Sequence, residues 1–443
     1  MVLAALVALG IGGAGCSGGV AARPGAVAGS PGRSSPPSWV PAYSPEQLAL
    51  LEPPDVPIQL PARRVYPDLA RFGYANDHRM EEPEESLRFT KMVVTVLTDS
   101  PRFYVLKEVR PELANTVVQY GPAGPAEPDE WHTLRRDRDG IGTLVKAPLA
   151  AEGREAQTRG EALLGSGDTA GARAAFEKVI AQSPRHPAAL VGLGRALAAG
   201  GDLAAAEKTF KRALAVDTTL GSAHLGLAEI QERRGDVAGA RRHLAEALAY
   251  HPSSRRAWAL ANRITPGGAG QGRIEPFAIF IDVDSVGAVH VGATPSGAAQ
   301  IYAGCRAVLR YEPEVRAAIF RQPVSTPYYL SVVEEVVCLE AAIGAYLVEQ
   351  AEAAGEADPT TPRERAEPEQ PAPRDPRVES LARIAHHEGL SGYAMFEILG
   401  MHRPERARGA PPVLHKAVVQ YVEHHILGHG SDAVPEGVFT ASR

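Results

Sequence analysis

The stretch GREAQTRGEALLGSGDTAGARAAFEKVIAQSP (residues 153–184) is followed by two that share its pattern: PAALVGLGRALAAGGDLAAAEKTFKRALAVDT (187–218) and GSAHLGLAEIQERRGDVAGARRHLAEALAYHP (221–252). A Gly-Asp step recurs every 34 residues, at Gly167, Gly201 and Gly235. Each step separates two helical patterns, because Gly ends a helix in the left-handed conformation and the following Asp caps the next helix. The period predicts three stacked helix pairs, none of which could bury its apolar face alone.

The second helix of each pair carries a small and a large apolar residue in phase. An Ala comes four residues before a Phe or Leu in every copy: Ala172 and Phe176, Ala206 and Phe210, Ala240 and Leu244. The Ala lets the paired helices approach, and the larger side chain fills the space between them. Trp258 falls at the aromatic position of a fourth first helix. We therefore predict a capping helix over 255–264, which closes an array spanning 153–264.

This pattern resembles the tetratricopeptide repeat (TPR) family, whose motif places Leu-Gly in the first helix, Ala-x-x-x-Phe in the second and Pro after it. Leu193 and Gly194 match the first part, Gly160 and Pro184 match in the first copy, and Arg159 departs from the expected Leu. The resemblance implies a mainly α fold built on a three-repeat TPR α-solenoid. It also implies a protein-protein interaction module with no catalytic residues, no metal and no cofactor.

The resemblance further implies where a partner binds. In TPR arrays the first helices line a concave groove that takes a protein or peptide ligand. The matching residues here are Arg154, Gln157, Glu161, Val191, Arg195, Leu225, Glu229 and Glu232. The version of the family that captures a C-terminal carboxylate uses Lys and Asn at such positions, and they are absent here. We expect a folded or extended protein segment as ligand, with plain solvated helix surface as the alternative for each residue.

The N-terminus opens on MVLAALVALGIGGAGCSGG, an apolar run without charge that is too short to span a bilayer. It resembles a bacterial lipoprotein signal peptide (1–19), in which Cys16 carries the lipid that anchors the protein to a membrane. No Lys or Arg precedes the run, and Gly13 stands where Leu is usual. A secretory signal or an unprocessed apolar N-terminus is therefore the alternative.

Residues 20–62 hold ten prolines and are predicted to be a disordered tether.

Composition narrows the function classes. With 46 basic and 52 acidic residues the net charge is −6, so broad attraction to nucleic acid is not expected. The chain contains no Gly-Lys-Ser phosphate-binding loop.

If Cys16 is lipidated, Cys305 and Cys338 remain as an even pair. They could form a disulfide in an oxidising compartment, and two buried free thiols are the alternative.

The regions on either side of the array have weaker patterns. Residues 63–150 are predicted to be a small N-terminal region of undefined fold, with one helix over 87–97 and a strand at 103–106. At 273 the apolar period changes from helical to strand-like. Residues 273–350 are therefore predicted to be an α+β region that contains a β-hairpin and several helices.

Charged residues follow the predicted hairpin. Arg306, Arg310 and Arg316 lie near Tyr311, Glu312 and Glu314 in the chain. Because charged pairs are common on exposed helices, we predict a salt-bridged helix face, and a recognition surface is the alternative. A core-facing helix is predicted to follow, from 328 to 349.

The C-terminal part begins with a linker, predicted at 351–377 from six prolines and many charges, and continues as a helical region at 378–430. This region is rich in histidine. A zinc protease helix carries two His four residues apart with a Glu beside the first. His425 and His429 have this spacing, but Ile426 replaces the Glu, and Ser391 stands where a second His would follow His387. No metal ligand is therefore assigned.

These patterns predict an exported, lipid-anchored TPR protein that acts as an interaction module or scaffold at the cell envelope. The expected location is the periplasmic face of the outer membrane, or the exterior after secretion. One alternative is a metal-dependent hydrolase that uses the C-terminal histidines while the array presents substrate. Another is a structural envelope component in which the repeats mediate self-association.

Overall fold

The computed structural model describes residues 83–100, 104–108, 131–136, 142–283, 287–320, 323–326, 328, 331–353, 374–386, 389–400 and 404–428. The predicted signal peptide, the predicted tether, Cys16 and most of the predicted linker lie outside these ranges. No helix within them is both long and apolar enough to cross a membrane.

Helices dominate the described residues, and we number them in chain order. They are α1 (Pro83–Asp99), α2 (Ala151–Gly165), α3 (Thr169–Gln182), α4 (Pro187–Ala199), α5 (Leu203–Val216), α6 (Gly221–Arg233), α7 (Val237–Tyr250), α8 (Arg255–Ile264), α9 (Gly297–Tyr311), α10 (Pro313–Phe320), α11 (Val332–Ala353), α12 (Pro376–His386), α13 (Leu390–Tyr393), α14 (Pro404–Gly409) and α15 (Pro412–Tyr421). Two π-helical segments, Ala394–Gly400 and Val422–Ile426, continue α13 and α15.

Five short strands of the described residues form two separate sheets. They are β1 (Tyr104–Glu108), β2 (His132–Arg136), β3 (Gly142–Lys146), β4 (Ile279–Val283) and β5 (Val289–Ala293). The predicted β-hairpin is confirmed, since β4 pairs antiparallel with β5 and places Ile281 opposite Val291. β1 lies parallel to β5 on its other side, and β2 and β3 make a second hairpin. The sequence patterns did not reveal these last two pairings.

Two compact units contain these elements, and the chain passes between them more than once. The described residues of 83–108 and 277–386 form the sheet unit, and those of 131–276 and 389–428 form the repeat unit. The sequence suggested a division into consecutive regions instead. Side-chain packing groups segments that are distant in the chain, which a pattern of adjacent residues does not reveal.

Helix caps fix the boundaries inside the repeat unit. Gly167 and its two equivalents have φ angles of 87°, 89° and 78°, in the left-handed region that favours glycine. The Asp that follows each Gly accepts a hydrogen bond from a backbone N–H three residues on, at 2.8–3.0 Å. These contacts begin α3, α5 and α7, as the Gly-Asp period predicts.

The phenylalanines of the period form the core between the pairs. Phe176 and Phe210 are buried, with 0% and 1% of their surface exposed. A Cβ atom at Gly160 or Gly192 would lie only 2.7 or 2.5 Å from the Phe176 ring. The ring therefore fills the space between the first helix of its own pair and that of the next, which explains why small residues face it.

The C-terminal helices return to the repeat unit and pack on its last elements. α14, α15 and the Val422–Ile426 segment all contact α7. Phe396 lies beside Trp258 of α8, with ring centroids 6.3 Å apart. α8 is the predicted capping helix and has no second helix of its own. The π-helical segment that contains Phe396 covers it, although this segment follows α8 by more than a hundred residues.

A buried arginine joins three segments of the repeat unit. The Arg408 guanidinium of α14 lies 2.6 Å from the Asp217 carboxylate and donates to the Thr219 hydroxyl at 2.9 Å. It also donates to the carbonyl of His132 in β2, and the Leu134 amide donates to Asp217, both at 2.6 Å. The side chains of Arg408 and Asp217 are only 2% and 3% exposed, so this is a fully buried, hydrogen-bonded ion pair.

The sheet unit packs α9, α11 and α1 together, with α9 against β5. Cys305 of α9 and Cys338 of α11 form a disulfide, with Cα atoms 5.4 Å apart. Arg306 follows Cys305 directly and lies 2.6 Å from the Glu335 carboxylate, which also accepts a hydrogen bond from the Tyr302 hydroxyl at 2.5 Å. Both charged side chains are buried, so the predicted exposed salt-bridged face is wrong for Arg306.

Candidate functional site: the inner face of the repeat array

The first helices of successive pairs lie beside one another. α2 contacts α4, α4 contacts α6, and α6 contacts α8. Residues at equal positions in these helices therefore recur along one side of the array, which we call the inner face. One such position is occupied in turn by Glu161, Arg195, Glu229 and Arg263, so that the charge alternates from helix to helix.

Two ion pairs join the last two first helices across the inner face. Arg263 of α8 donates to the Glu232 carboxylate through two nitrogens, at 2.6 and 3.0 Å. Arg256 donates through one nitrogen to both oxygens of Glu229, at 2.8 and 3.1 Å. The hydrogen bond from Arg263 lowers the pKa of the Glu232 carboxyl. These acids are thus held in place before a ligand arrives, and a cationic group must compete with an arginine for them.

The polar residues predicted for the groove lie at the surface or beside it. Arg154 and Glu161 are exposed, and Arg195, Glu229 and Glu232 are half-buried. Arg154 donates to the carbonyl of Leu149 at 2.7 Å. These charged positions leave polar atoms within reach of a partner molecule.

The other three predicted groove residues are buried. Val191 and Leu225 have 0% and 4% of their surface exposed, so their side chains offer almost no area to a ligand. Gln157 is 1% exposed and donates to Glu161 at 2.9 Å, where it positions that carboxylate. The inner face therefore presents charge, and its apolar positions serve the packing of the array.

Two family models, both described as Tetratricopeptide repeat, match the chain at residues 158–219 and 201–264. Residues 158–264 are a tetratricopeptide repeat array. No curated protein matches the chain. TPR arrays in general bind protein or peptide partners and do not usually catalyse reactions. This part of the chain is accordingly a protein interaction module.

Two arginines of the TPR inner face were not among the predicted site residues. Arg256 and Arg263 belong to α8, which the sequence indicated only as a cap. A signal for them was present, because Arg256 and Arg263 lie three periods after Arg154 and Glu161. Extending the 34-residue register into the half repeat would have identified them.

The C-terminal histidines are dispersed in the structure. His425 stacks on Tyr421 with ring centroids 5.0 Å apart, and His415 lies 2.7 Å from the Glu246 carboxylate. His387, His402 and His429 lie outside the described residues. Where the structure describes the chain, no three His, Cys, Asp or Glu side chains are placed to share a metal ion.

Proposed function

We propose that this protein is an exported interaction module, anchored through lipidated Cys16, whose TPR inner face binds a segment of another envelope protein. The observation that carries the binding part is the alternating charge of four successive first helices, with Glu229 of this set and the nearby Glu232 already oriented by arginines. Such a surface matches a protein segment of mixed charge better than an apolar helix, because its apolar positions are buried.

The disulfide supports the export part of this proposal. Cys305 and Cys338 are both fully buried and bonded to each other. Disulfides form and persist in oxidising compartments such as the bacterial periplasm and are rare in the cytosol. A signal peptide resembling that of lipoproteins would deliver the chain to such a compartment.

Partner binding can be tested by charge reversal in the full-length protein. Glu161→Arg combined with Glu229→Arg changes two inner-face positions, and Arg173→Glu changes an exposed residue on a second helix as the matched control. We expect the double variant to retain less than about a tenth of the wild-type yield of co-purified envelope protein, since each lost charge pair weakens binding. Equal yields from both variants would contradict binding at this face.

The anchor can be tested separately. Wild-type protein should incorporate radioactive palmitate and sediment with outer membranes, whereas Cys16→Ala should do neither. Thiol labelling of denatured protein should show Cys305 and Cys338 oxidised. Free thiols together with a cytosolic wild-type protein would overturn the export part and leave the binding part standing.

A further inference from the structure

The second helices of the TPR array carry a different charge from the first helices. Each second helix packs between the first helix of its own pair and the first helix of the next pair. Its exposed side therefore points away from the first helices, and we call the exposed sides of α3, α5 and α7 together the outer face. These three helices contain seven Lys or Arg and three Glu, whereas α2, α4 and α6 contain four Arg and five Glu. The outer face is thus basic in a protein whose net charge is −6.

The acidic residues of the second helices are already engaged by basic side chains. Each carboxylate lies within 2.8 Å of at least one basic nitrogen: Glu177 of Arg173, Glu207 of Lys211 and Arg234, and Glu246 of His415. Four exposed cations of the same helices have no acidic partner among the described residues: Lys178, Lys208, Arg212 and Arg242. Their positive charge is therefore available to a ligand.

These four cations lie on the same side of the array. Lys208 and Arg242 are one 34-residue period apart and so occupy equivalent positions of α5 and α7. Lys178 and Arg212 are equivalent in the same way in α3 and α5. Because Lys208 and Arg212 are four residues apart, they lie on one side of α5. The cations therefore extend over three successive repeats, with α5 in the middle.

The exposed side of α5 forms an open groove of about 470 Å³ at the centre of the outer face. The groove is lined by Ala204, Glu207, Lys208, Lys211, Arg212 and Ala215. Ala204 and Ala215 are short and exposed, so the three basic side chains extend beyond them into solvent. An anionic group that enters this groove meets three cations and one carboxylate that is already paired.

We propose that the outer face binds the phosphate headgroups of an anionic membrane surface, with Lys208 and Arg212 at its centre. Clusters of about four to eight basic residues are typical of proteins that bind anionic lipids. The cations lie on three successive helices rather than in one enclosed pocket, so they fit an extended layer of phosphates better than a single small ligand. Each Lys or Arg near such a surface strengthens binding by about fivefold.

Aromatic residues distinguish this surface from a typical site for single-stranded nucleic acid. Such sites stack bases on accessible rings. Phe176 and Phe210 of the second helices are buried in the core, and Tyr250 at the end of α7 is stacked on His415. The second helices therefore offer cations without exposed rings, which favours a membrane surface.

Binding through the outer face goes beyond the proposed function and requires neither the lipid on Cys16 nor a ligand on the inner face. If the protein is anchored as proposed, the outer face would hold the array against the membrane while the inner face stays available to a partner. Because the two faces belong to different helices, separate substitutions can test them.

Vesicle sedimentation of the full-length Cys16→Ala protein tests the outer face without a lipid anchor. Vesicles of phosphatidylcholine measure any attachment through the apolar N-terminus, and vesicles with about one third phosphatidylglycerol add negative charge. We expect at least about twenty-five-fold tighter binding to the anionic vesicles in about 0.1 M NaCl. The difference should disappear in about 1 M NaCl, where the screening length falls from about 10 to about 3 Å. Equal binding to both kinds of vesicle at low salt would overturn the proposal.

Two double variants of this protein locate the binding surface. Lys208→Gln with Arg212→Gln should weaken binding to anionic vesicles by about twenty-five-fold, since two cations are lost. Arg159→Gln with Arg255→Gln is the matched control, because it removes the same charge from exposed arginines of the first helices α2 and α8. The control should bind within about twofold of the parent protein. Equal weakening in both would mean that net charge, and not the outer face, governs binding, and the proposal would be wrong.

Further measurements address folding and the class of ligand. Gln is a good helix former, and circular dichroism verifies that each variant is folded. If the outer-face double variant does not fold, Lys208→Gln alone should weaken binding by about fivefold. Duplex DNA serves as a second polyanion. If the Cys16→Ala protein binds it as tightly as the anionic vesicles, and Lys208→Gln weakens both equally, the outer face does not select a membrane and the proposal fails.

Discussion

The repeat unit and the sheet unit place their functional charges in opposite environments. On the inner face of the TPR array, the paired side chains of Arg263 and Glu232 are 55% and 24% exposed. In the sheet unit, those of Arg306 and Glu335 are 9% and 0% exposed. Ion pairs between arginine and glutamate thus lie at the surface on the inner face of the array and in the core of the sheet unit.

This difference changes what each pair contributes. Water screens an exposed pair, so its loss costs little and its groups stay available to a partner. A buried pair stabilises the fold only while both partners and their hydrogen bonds are present, since either charge left alone is unsolvated. The core of the sheet unit therefore depends on single polar residues in a way that the inner face of the array does not.

Glu335→Ala is the most severe test of this contrast. The substitution leaves the buried Arg306 guanidinium without its carboxylate and should lower the free energy of unfolding of the sheet unit by about 3–5 kcal/mol. Glu229→Ala breaks an exposed pair of similar length and should cost less than about 1 kcal/mol in the repeat unit. Native-state hydrogen exchange resolves the two units in one sample.

Equal losses of stability from Glu335→Ala and Glu229→Ala would contradict this difference between buried and exposed ion pairs. A Glu335→Gln variant serves as control, because the amide keeps the hydrogen bond from Tyr302 while removing the charge. It should fall between the wild type and Glu335→Ala, since Arg306 still loses its counter-charge.

The array was the more predictable of the two units. The 34-residue period brings equivalent residues into equivalent surroundings, and it therefore predicts the helix caps, the core phenylalanines and the helix order. Neighbouring repeats also contact each other locally in the chain. The same register places Arg256 and Arg263 at groove positions, one period beyond the groove residues predicted in the third copy.

The sheet unit and the C-terminal helices depend on contacts between distant residues. The strand pairing of β1 with β5 links residues nearly two hundred positions apart, and Arg408 reaches Asp217 across a separation of 191. Periodicity carries no information about such partners. The charge of Arg306 indicated exposure, and only its pairing with Glu335 of α11 makes its burial tolerable.

A second contrast concerns the sign of the pH dependence. Burial raises the pKa of Glu334 in α11 to about 8, although Arg316 and Arg306 oppose it. The folded sheet unit then binds a proton that the unfolded chain releases at about pH 4.3, and its stability declines as the pH rises between these values, by at most about 1.4 kcal/mol per pH unit. The repeat unit, with the lowered pKa values of His224 and His243, should instead lose stability as the pH falls below about 6.5.

Hydrogen exchange of α11 and of α6 between pH 5.5 and 8 measures how the stability of each unit changes with pH. Glu334→Gln should flatten the slope of α11 and leave that of α6 unchanged, because Gln imitates the protonated acid. Slopes of the same sign in the two helices would show that the buried charges do not govern their response to pH.

The smallest expected loss of stability comes from removing a helix cap, and this loss should be similar in the two units. Asp202 accepts a hydrogen bond from the Ala205 amide at 3.0 Å in the array, and Ser296 accepts one from the Ala299 amide at 3.3 Å in the sheet unit. Each change to Ala leaves an N–H at a helix start without its acceptor, at a cost of about 1 kcal/mol. Hydrogen exchange of α5 and α9 measures the two losses. A cost for Ser296→Ala close to that of Glu335→Ala would mean that the sheet unit is sensitive to any lost polar contact, and burial of charge would no longer explain its difference from the array.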